Sequence, residues 1–335
     1  MKRIGKQTWN FTNPVYVESV GTVVGPLEGE GPLQFDFDKH YDKLSCGEDS
    51  WELAERRMLL DAIDICLRKR NRSKDEIDFL LAGDLLNQIV TSNYTARELA
   101  IPFLGMFSAC ATSMESLALG ALIIDGGYGQ SAIAATSSHN GTAERQFRYP
   151  TEFGTQRDLA STFTVTGAGA VLLGQKKSTI RVKQATIGKV IDMGVSNALD
   201  LGSAMAPAAA DTIIAHLNDT ELTLEQYDCI VTGDLSRVGS GILRKLLQEK
   251  GYLLKNNYED CGVMIYHPEQ PVFSGGSGSA CSAVVTYGHL FKEMQRGRMK
   301  RLLVVATGAL MNSLMLHQKE TIPCIAHAVS FEMEV

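Results

Sequence analysis

The sequence has no excess of basic residues. Its 32 lysines and arginines face 38 aspartates and glutamates, a formal net charge of −6. That balance argues against nucleic acid as the main partner, because phosphate binding needs a cationic surface. No uninterrupted apolar run approaches the roughly 20 residues that span a bilayer, so membrane association has to come from surface docking or a partner. No secretory leader is evident. The seven cysteines are odd in number and lack metal-ligand spacing, which reads as free thiols in a reducing compartment and no bound metal. With 21% charged and 44% apolar residues, what remains is a globular chain long enough for two core-forming units.

One stretch occurs twice. Ser108-Ala109-Cys110-Ala111 and Ser279-Ala280-Cys281-Ser282 share Ser-Ala-Cys followed by a small residue. From each copy the chain runs gap-free through a helical stretch to a turn glycine, Gly126 or Gly297. It then enters a strand in which Ala135/Ala306 and Thr136/Thr307 fall in register. Upstream, Phe79-Leu80-Leu81-Ala82-Gly83-Asp84-Leu85 matches Cys229-Ile230-Val231-Thr232-Gly233-Asp234-Leu235 in pattern. Repeats this long indicate duplicated domains rather than a solenoid, with halves 1–175 and 176–335. Each half then carries a strand, a Gly-Asp-Leu turn, a helix, a Ser-Ala-Cys helix and a strand. A cysteine at the first turn of a buried helix sits where free N–H groups and the dipole favour an anion. The alternative is one more inert core cysteine.

Along the chain, Met1–Asn13 carries little pattern and reads as an arm. Val15–Val24 alternates like a strand. Ser50 is an N-cap before a helix from Trp51 to Arg70. Leu85–Tyr94 reads as a loop and Thr95–Leu104 as a short helix. The excursion after Ser137-Ser138-His139-Asn140-Gly141 holds Arg145, Arg148, Tyr149, Phe153 and Arg157, and excursions of this length usually cover a pocket or make a dimer contact. Thr162–Leu173 is a glycine-broken strand in which close backbone packing explains the glycines better than phosphate binding. Pro207–Leu217 reads as a helix with proline in its first turn.

With the two Ser-Ala-Cys halves and the Ser274–Ser279 glycine/serine loop in view, the sequence resembles the thiolase superfamily, nearest the β-ketoacyl-carrier-protein synthase III type. The resemblance implies an α/β, five-layered αβαβα fold built from two duplicated halves, usually dimeric. The opening Val15–Pro26 with Glu28–Leu33, and Ser-Ala-Cys-Ala-Thr-Ser, resemble more closely the stage V sporulation protein AD family of spore-forming bacteria. That resemblance implies a non-catalytic binder of dipicolinic acid, free or as its calcium chelate. It implies a peripheral place at the spore inner membrane with the other stage V sporulation protein A membrane proteins, and no cofactor. The synthases surround the cysteine with a histidine and an asparagine. At the corresponding places this chain has Gly233-Asp234 and Ser277. The ligand site expected on this basis comprises Cys110, Ser138, His139, Asn197, Asp234, Arg237, Ser277, Ser279 and Asn312, with no catalytic residue. His317 and His327 lie where some superfamily members place a catalytic histidine. Three readings stay open: a ligand-binding subunit of a transport assembly, an acyl-transfer enzyme with Cys110 as nucleophile, and a structural dimer that docks membrane partners.

Overall fold

The computed structural model describes residues 1–148 and 158–334. Tyr149, Phe153 and Arg157 of the excursion lie outside the described residues.

The longest strands are small-residue or aliphatic runs buried along most of their length. β1 is Tyr16–Val24, β2 Phe79–Gly83, β3 Phe103–Gly105, β4 Ser131–Ser138 and β5 Gly167–Gly174. The second set is β6 Ile180–Ile187, β7 Cys229–Thr232, β8 Tyr258–Asp260, β9 Arg301–Ala309 and β10 Cys324–Met333. Strands covered on both faces lose the apolar/polar alternation, and Ser131–Ser138 is buried at every position. The strand order is β3-β2-β4-β5-β1 followed by β6-β10-β9-β7-β8. β1 and β5, β5 and β4, β6 and β10, and β10 and β9 pair antiparallel. The outer pairs, β4 with β2, β2 with β3, β9 with β7 and β7 with β8, are parallel. The two sets meet at a single antiparallel pair, Tyr16 with Arg181.

The helices stack around them. α1, Trp51–Arg68, starts at Ser50, whose hydroxyl accepts from the Leu53 amide at 3.3 Å, and buries Ala54, Met58, Leu59, Ala62, Ile63 and Cys66 on the first set. α2, Thr112–Gly126, carries the first Ser-Ala-Cys into the centre. α4, Leu201–Thr220, covers the second set, and α6, Ser279–Val284, carries the second Ser-Ala-Cys. α2 and α6 meet in the middle, where the Ser113 and Ser282 hydroxyls hydrogen-bond at 2.6 Å. Buried apolar residues fall into a central cluster fed by both halves and an outer cluster on each side, the layering of an αβαβα sandwich. Gly169 shows why β5 needs glycine. A Cβ there would lie 2.8 Å from Ala283 Cβ, so the backbone lets the α6 helix lie directly on the strand.

Several local expectations are corrected. The N-terminal arm contributes a strand, Thr8–Asn10, that pairs with β6. It is held by Asp219, which accepts from the Lys6 and Gln7 amides at 2.9 and 2.8 Å. A helix runs from Val90 to Leu99 and Phe103–Gly105 is a strand. Helix α4 begins at Leu201, capped by Asp200, so Pro207 lies inside it rather than in its first turn. Ala109–Gly126 is apolar and long enough by composition to cross a membrane, yet 78% of it is buried in this fold.

Candidate functional site

Cys110 is presented by one turn under strain. β3 ends at Gly105, and Ala109–Ala111 form a single 3₁₀ turn before α2. Ala109 has φ 49°, a left-handed conformation costly for a residue with a Cβ. Two bonds hold it. The Ser108 amide donates to Thr112 Oγ1 at 3.0 Å, and Thr112 Oγ1 donates to the Ala109 carbonyl at 2.7 Å. The Ser108 carbonyl also rests against Gly308, where a Cβ would lie only 2.2 Å from it. His327 braces the turn from β10. Its Nδ1 accepts from the Gly188 amide at 3.3 Å, so Nε2 carries the proton toward Ser108 Oγ, 3.2 Å away. Burial pushes its pKa down to about 4, which keeps the ring neutral. His317 ends a short surface helix, Ser313–His317.

Below Cys110 lies Asp234, fully buried at the end of the Thr232-Gly233-Asp234 turn. Its Oδ1 accepts from Thr307 Oγ1 at 2.6 Å. Its Oδ2 accepts from Ser277 Oγ and the Gly278 amide, each at 3.0 Å. The Cys110 thiol donates to the same carboxyl. Burial, then the Asp234 charge, then that hydrogen bond, push the Cys110 pKa well above an ordinary thiol. Burial also raises Asp234, against the stabilisation from its donors. An activated cysteine needs a partner that favours the thiolate; a carboxylate disfavours it.

Above the thiol opens a narrow pocket, partly open to solvent. Leu85, Phe107, Phe147, Leu201 and Met311 give it apolar walls; Thr164, Ser277 and Arg148 supply polar groups. Arg148 stands at the end of helix α3, Asn140–Phe147, and its Nη1 donates to Glu144 Oε1 at 2.6 Å. Among the described residues it is the one cation on the pocket wall. By sequence Arg148 belongs to the excursion and lies outside the expected site. The available signal was the Glu144–Arg148 spacing of four on a helix that starts at a strand end facing Cys110.

Of the nine expected site residues, the structure brings Cys110, Asp234 and Ser277 together. Ser138 lies behind the floor, donating to the Val165 carbonyl at 2.7 Å and accepting from the Ala280 amide at 3.2 Å. Ser279 is likewise spent, donating to the Ser137 carbonyl at 2.6 Å. Asn312 is exposed and caps the Ser313–His317 helix, although it lines a second hollow that shares Phe107, Phe147 and Met311 with the first. Three expectations are corrected. His139 is buried against Trp51 at 5.4 Å, caps α3 through Nδ1 and reaches the Leu44 carbonyl at 2.8 Å with Nε2. Asn197 is exposed and caps its own turn at the Leu199 amide, 3.0 Å away. Arg237 is exposed on helix α5, Ser236–Glu249, and donates outward to the Phe273 carbonyl at 2.9 Å. Asp84, the repeat partner of Asp234, is spent on the Ser92 amide and hydroxyl at 2.8 and 2.7 Å.

Comparison with known proteins agrees with this architecture. The chain resembles solved structures of 3-oxoacyl-[acyl-carrier-protein] synthase III from Aquifex aeolicus (TM-score 0.59, 12% identity, 95% of this chain and 99% of that one). It also resembles OleA from Xanthomonas campestris (TM-score 0.61, 15% identity, 98% and 100%). Human mitochondrial 3-ketoacyl-CoA thiolase with CoA is a further match (TM-score 0.62, 12% identity, 97% and 99%). At such identities these matches establish a thiolase-like fold and nothing of the chemistry. In sequence, stage V sporulation protein AD of Bacillus subtilis is 57% identical over 332 residues, covering 99% of this chain and 98% of that protein. The profile of the family described as Stage V sporulation protein AD matches residues 5–332. A match of that extent, on a thiolase-like fold, makes this chain a member of the stage V sporulation protein AD family.

Proposed function

We propose that the protein is a binding subunit that holds dipicolinic acid in the Cys110 pocket without reacting it. In this reading it serves the movement of that ligand at the spore inner membrane, with the other stage V sporulation protein A membrane proteins as partners and a homodimer as the working form. The observation that carries the proposal is the pairing of the Cys110 thiol with a buried carboxyl, below an apolar pocket with one guanidinium on its wall. A flat aromatic dicarboxylate needs apolar faces for its ring and donors for its carboxylates. Phe107, Phe147, Leu85 and Met311 supply the faces; Arg148, Thr164 and Ser277 supply donors. Arg148 spends one of its five N–H groups on Glu144 in the described bond.

Asp234 bears on the ligand's form. A free dianion above a buried carboxyl meets like charge, whereas the one-to-one calcium chelate is electroneutral. Both Asp234 oxygens already accept protein donors, and among the described residues no cluster of three acidic, histidine or cysteine side chains forms a metal site. Calcium therefore enters as part of the ligand in this reading. The acyl-transfer alternative asks Cys110 to ionise beside Asp234, against the direction in which burial and charge push it.

The test is calorimetric titration with dipicolinate, with and without calcium. Wild type should bind one equivalent, more tightly with calcium. Arg148→Ala should lose about ten- to a hundredfold in affinity, the worth of a charge-assisted hydrogen bond of about 1.5–3 kcal/mol. An unchanged Arg148→Ala titration would place the ligand elsewhere. Stoichiometric acetylation of Cys110 by acetyl-CoA, read by intact mass and followed by turnover, would restore the enzyme reading.

A further inference from the structure

Glu28 is a fully buried carboxyl outside the pocket. It lies in the turn Pro26–Gly29 after β1, and it reaches across to the second half. Oε1 accepts from the Tyr266 hydroxyl and from the Thr166 amide, the latter at 3.0 Å. Oε2 is buried with no hydrogen-bond partner. Beside it, Gln270 Nε2 donates to the Leu27 carbonyl at 2.8 Å, closing the same crossing. No lysine, arginine or histidine among the described residues pairs with Glu28. The titratable groups around it are Tyr266 itself, Cys281, whose charge bears on Tyr266, and His40 beside Gly29.

This crossing backs directly onto the pocket floor. The Tyr266 ring lies against Gly276, where a Cβ would be 3.1 Å from Cε2. One residue from Thr166, the Val165 amide donates to the Ser277 carbonyl at 2.8 Å. Ser277 Oγ in turn donates to Asp234 under Cys110. A carboxyl with no cation and one orphan oxygen is comfortable only when neutral. Ionised, it gains by letting the Pro26–Gly29 turn and Tyr266 part so that water reaches Oε2. Parting releases Gly276 and the Val165–Ser277 pair, and with them the floor.

We propose that Glu28 is a proton-operated clasp between the two halves: protonated it holds the Ser277 floor of the Cys110 pocket closed for ligand, and ionised it loosens that floor. The affinity part of this rests on the ligand reading above. Burial pushes the Glu28 pKa up to about 7 against the pull of the Tyr266 hydroxyl and the Thr166, Glu28 and Gly25 amides, and Tyr266 stays protonated because burial and Glu28 push its own pKa far up. The clasp therefore operates near neutrality.

The experiment titrates wild type, Glu28→Gln and Tyr266→Phe with calcium dipicolinate at about pH 6 and about pH 8, and follows hydrogen exchange of residues 163–166 and 276–278, corrected for intrinsic rates, across the same range. Linkage limits the effect to tenfold per pH unit. Wild-type affinity should fall by roughly three- to tenfold on going to the higher pH, with faster exchange in both segments. Glu28→Gln keeps the acceptor for Tyr266 and Thr166 and cannot ionise, so both pH effects should shrink to the part that Asp260 and Glu55 supply. Asp260 and Glu55, with pKa values pushed up to about 7 and about 8, remain in that variant as internal controls. Tyr266→Phe removes a donor from the ionised form and should move the exchange transition to higher pH, a readout that survives if Glu28→Gln fails to fold. A pH effect that persists unchanged in Glu28→Gln, or a wild-type exchange profile flat with pH, overturns the clasp. No dipicolinate binding at either pH, with exchange still pH-dependent, overturns the ligand reading and leaves the clasp standing.

Discussion

The two Ser-Ala-Cys segments began as the same piece of structure and now do different things. Cys281 is fully buried in the central core, where burial and then Cys261 push its pKa well up. Cys110 is 7% exposed under a pocket, with Asp234 against its sulfur. The entry turns differ accordingly. The second copy enters its helix directly from Gly278, whereas the first is bent through Ala109 in a left-handed turn. The aspartates have diverged too. Asp84 is consumed by Ser92 and Leu86, while Asp234 faces the other half's cysteine. A duplication offers two equivalent sites, and one has been filled with core while the other was kept open.

That contrast can be broken most forcefully at Gly308. Its repeat partner is Ser137, whose hydroxyl donates to Glu55 at 3.0 Å. A side chain at 308 meets the Ser108 carbonyl that supports the Cys110 turn. Gly308→Val should cost about 3 kcal/mol of stability in urea unfolding, against about 1 kcal/mol for Ser137→Ala. Equal costs would mean that the Cys110 turn is not braced from β9.

The next effect separates two arginines. Arg148→Ala should weaken ligand binding by the ten- to hundredfold given above. Arg237→Ala, on the surface, should leave titrations unchanged and stability within about 0.5 kcal/mol. Inverted results would restore Arg237 to the site.

Alkylation sharpens the comparison of the cysteines themselves. Asp234 raises the Cys110 pKa, so Asp234→Asn should lower it and speed carboxymethylation of Cys110, about tenfold for each pKa unit recovered. Cys281 should stay unmodified in both proteins, as peptide mass mapping would show. Slower reaction of Cys110 in the variant would mean that the carboxyl acts as a base rather than a brake.

The smallest effect is on stability against pH. Three buried carboxyls have raised pKa values: Glu55 at about 8, and Asp260 and Glu28 at about 7. A raised folded-state pKa means that the folded protein holds protons the unfolded chain has lost. Stability from these groups is therefore full below the unfolded carboxylate range and falls as pH rises through the folded values. Over about pH 6.5 to about pH 8 the melting midpoint should drop, by the equivalent of at least about 1 kcal/mol, and Glu28→Gln should flatten part of the slope. A midpoint rising through that window would contradict these environments.

The large features were legible because they repeat. Ser-Ala-Cys, the Gly-Asp-Leu turn and the strand register show the duplication, and the thiolase resemblance they carry implies the fold class and puts Cys110, Asp234 and Ser277 at one place. The rest of the site was not legible, for a chemical reason. Histidine, asparagine and serine cap helices and turns with the same atoms that contact ligands. His139, Asn197 and Asn312 are spent in that way, and the sequence around them looks alike in either case. Arg148 was hidden differently: its place on the pocket wall depends on where helix α3 ends, and boundaries are set by tertiary packing. Helix α4 starting at Leu201 rather than beside Pro207 shows the same limit.

The central claim is that the open cysteine site holds a ligand and does no chemistry on it. Calorimetric titration of wild type and Cys110→Ala with calcium dipicolinate tests it most directly. Both proteins should bind one equivalent with affinities within about tenfold of each other, since the thiol contributes a neutral contact at most. No binding by wild type, or binding that vanishes in a folded Cys110→Ala protein, would contradict the account.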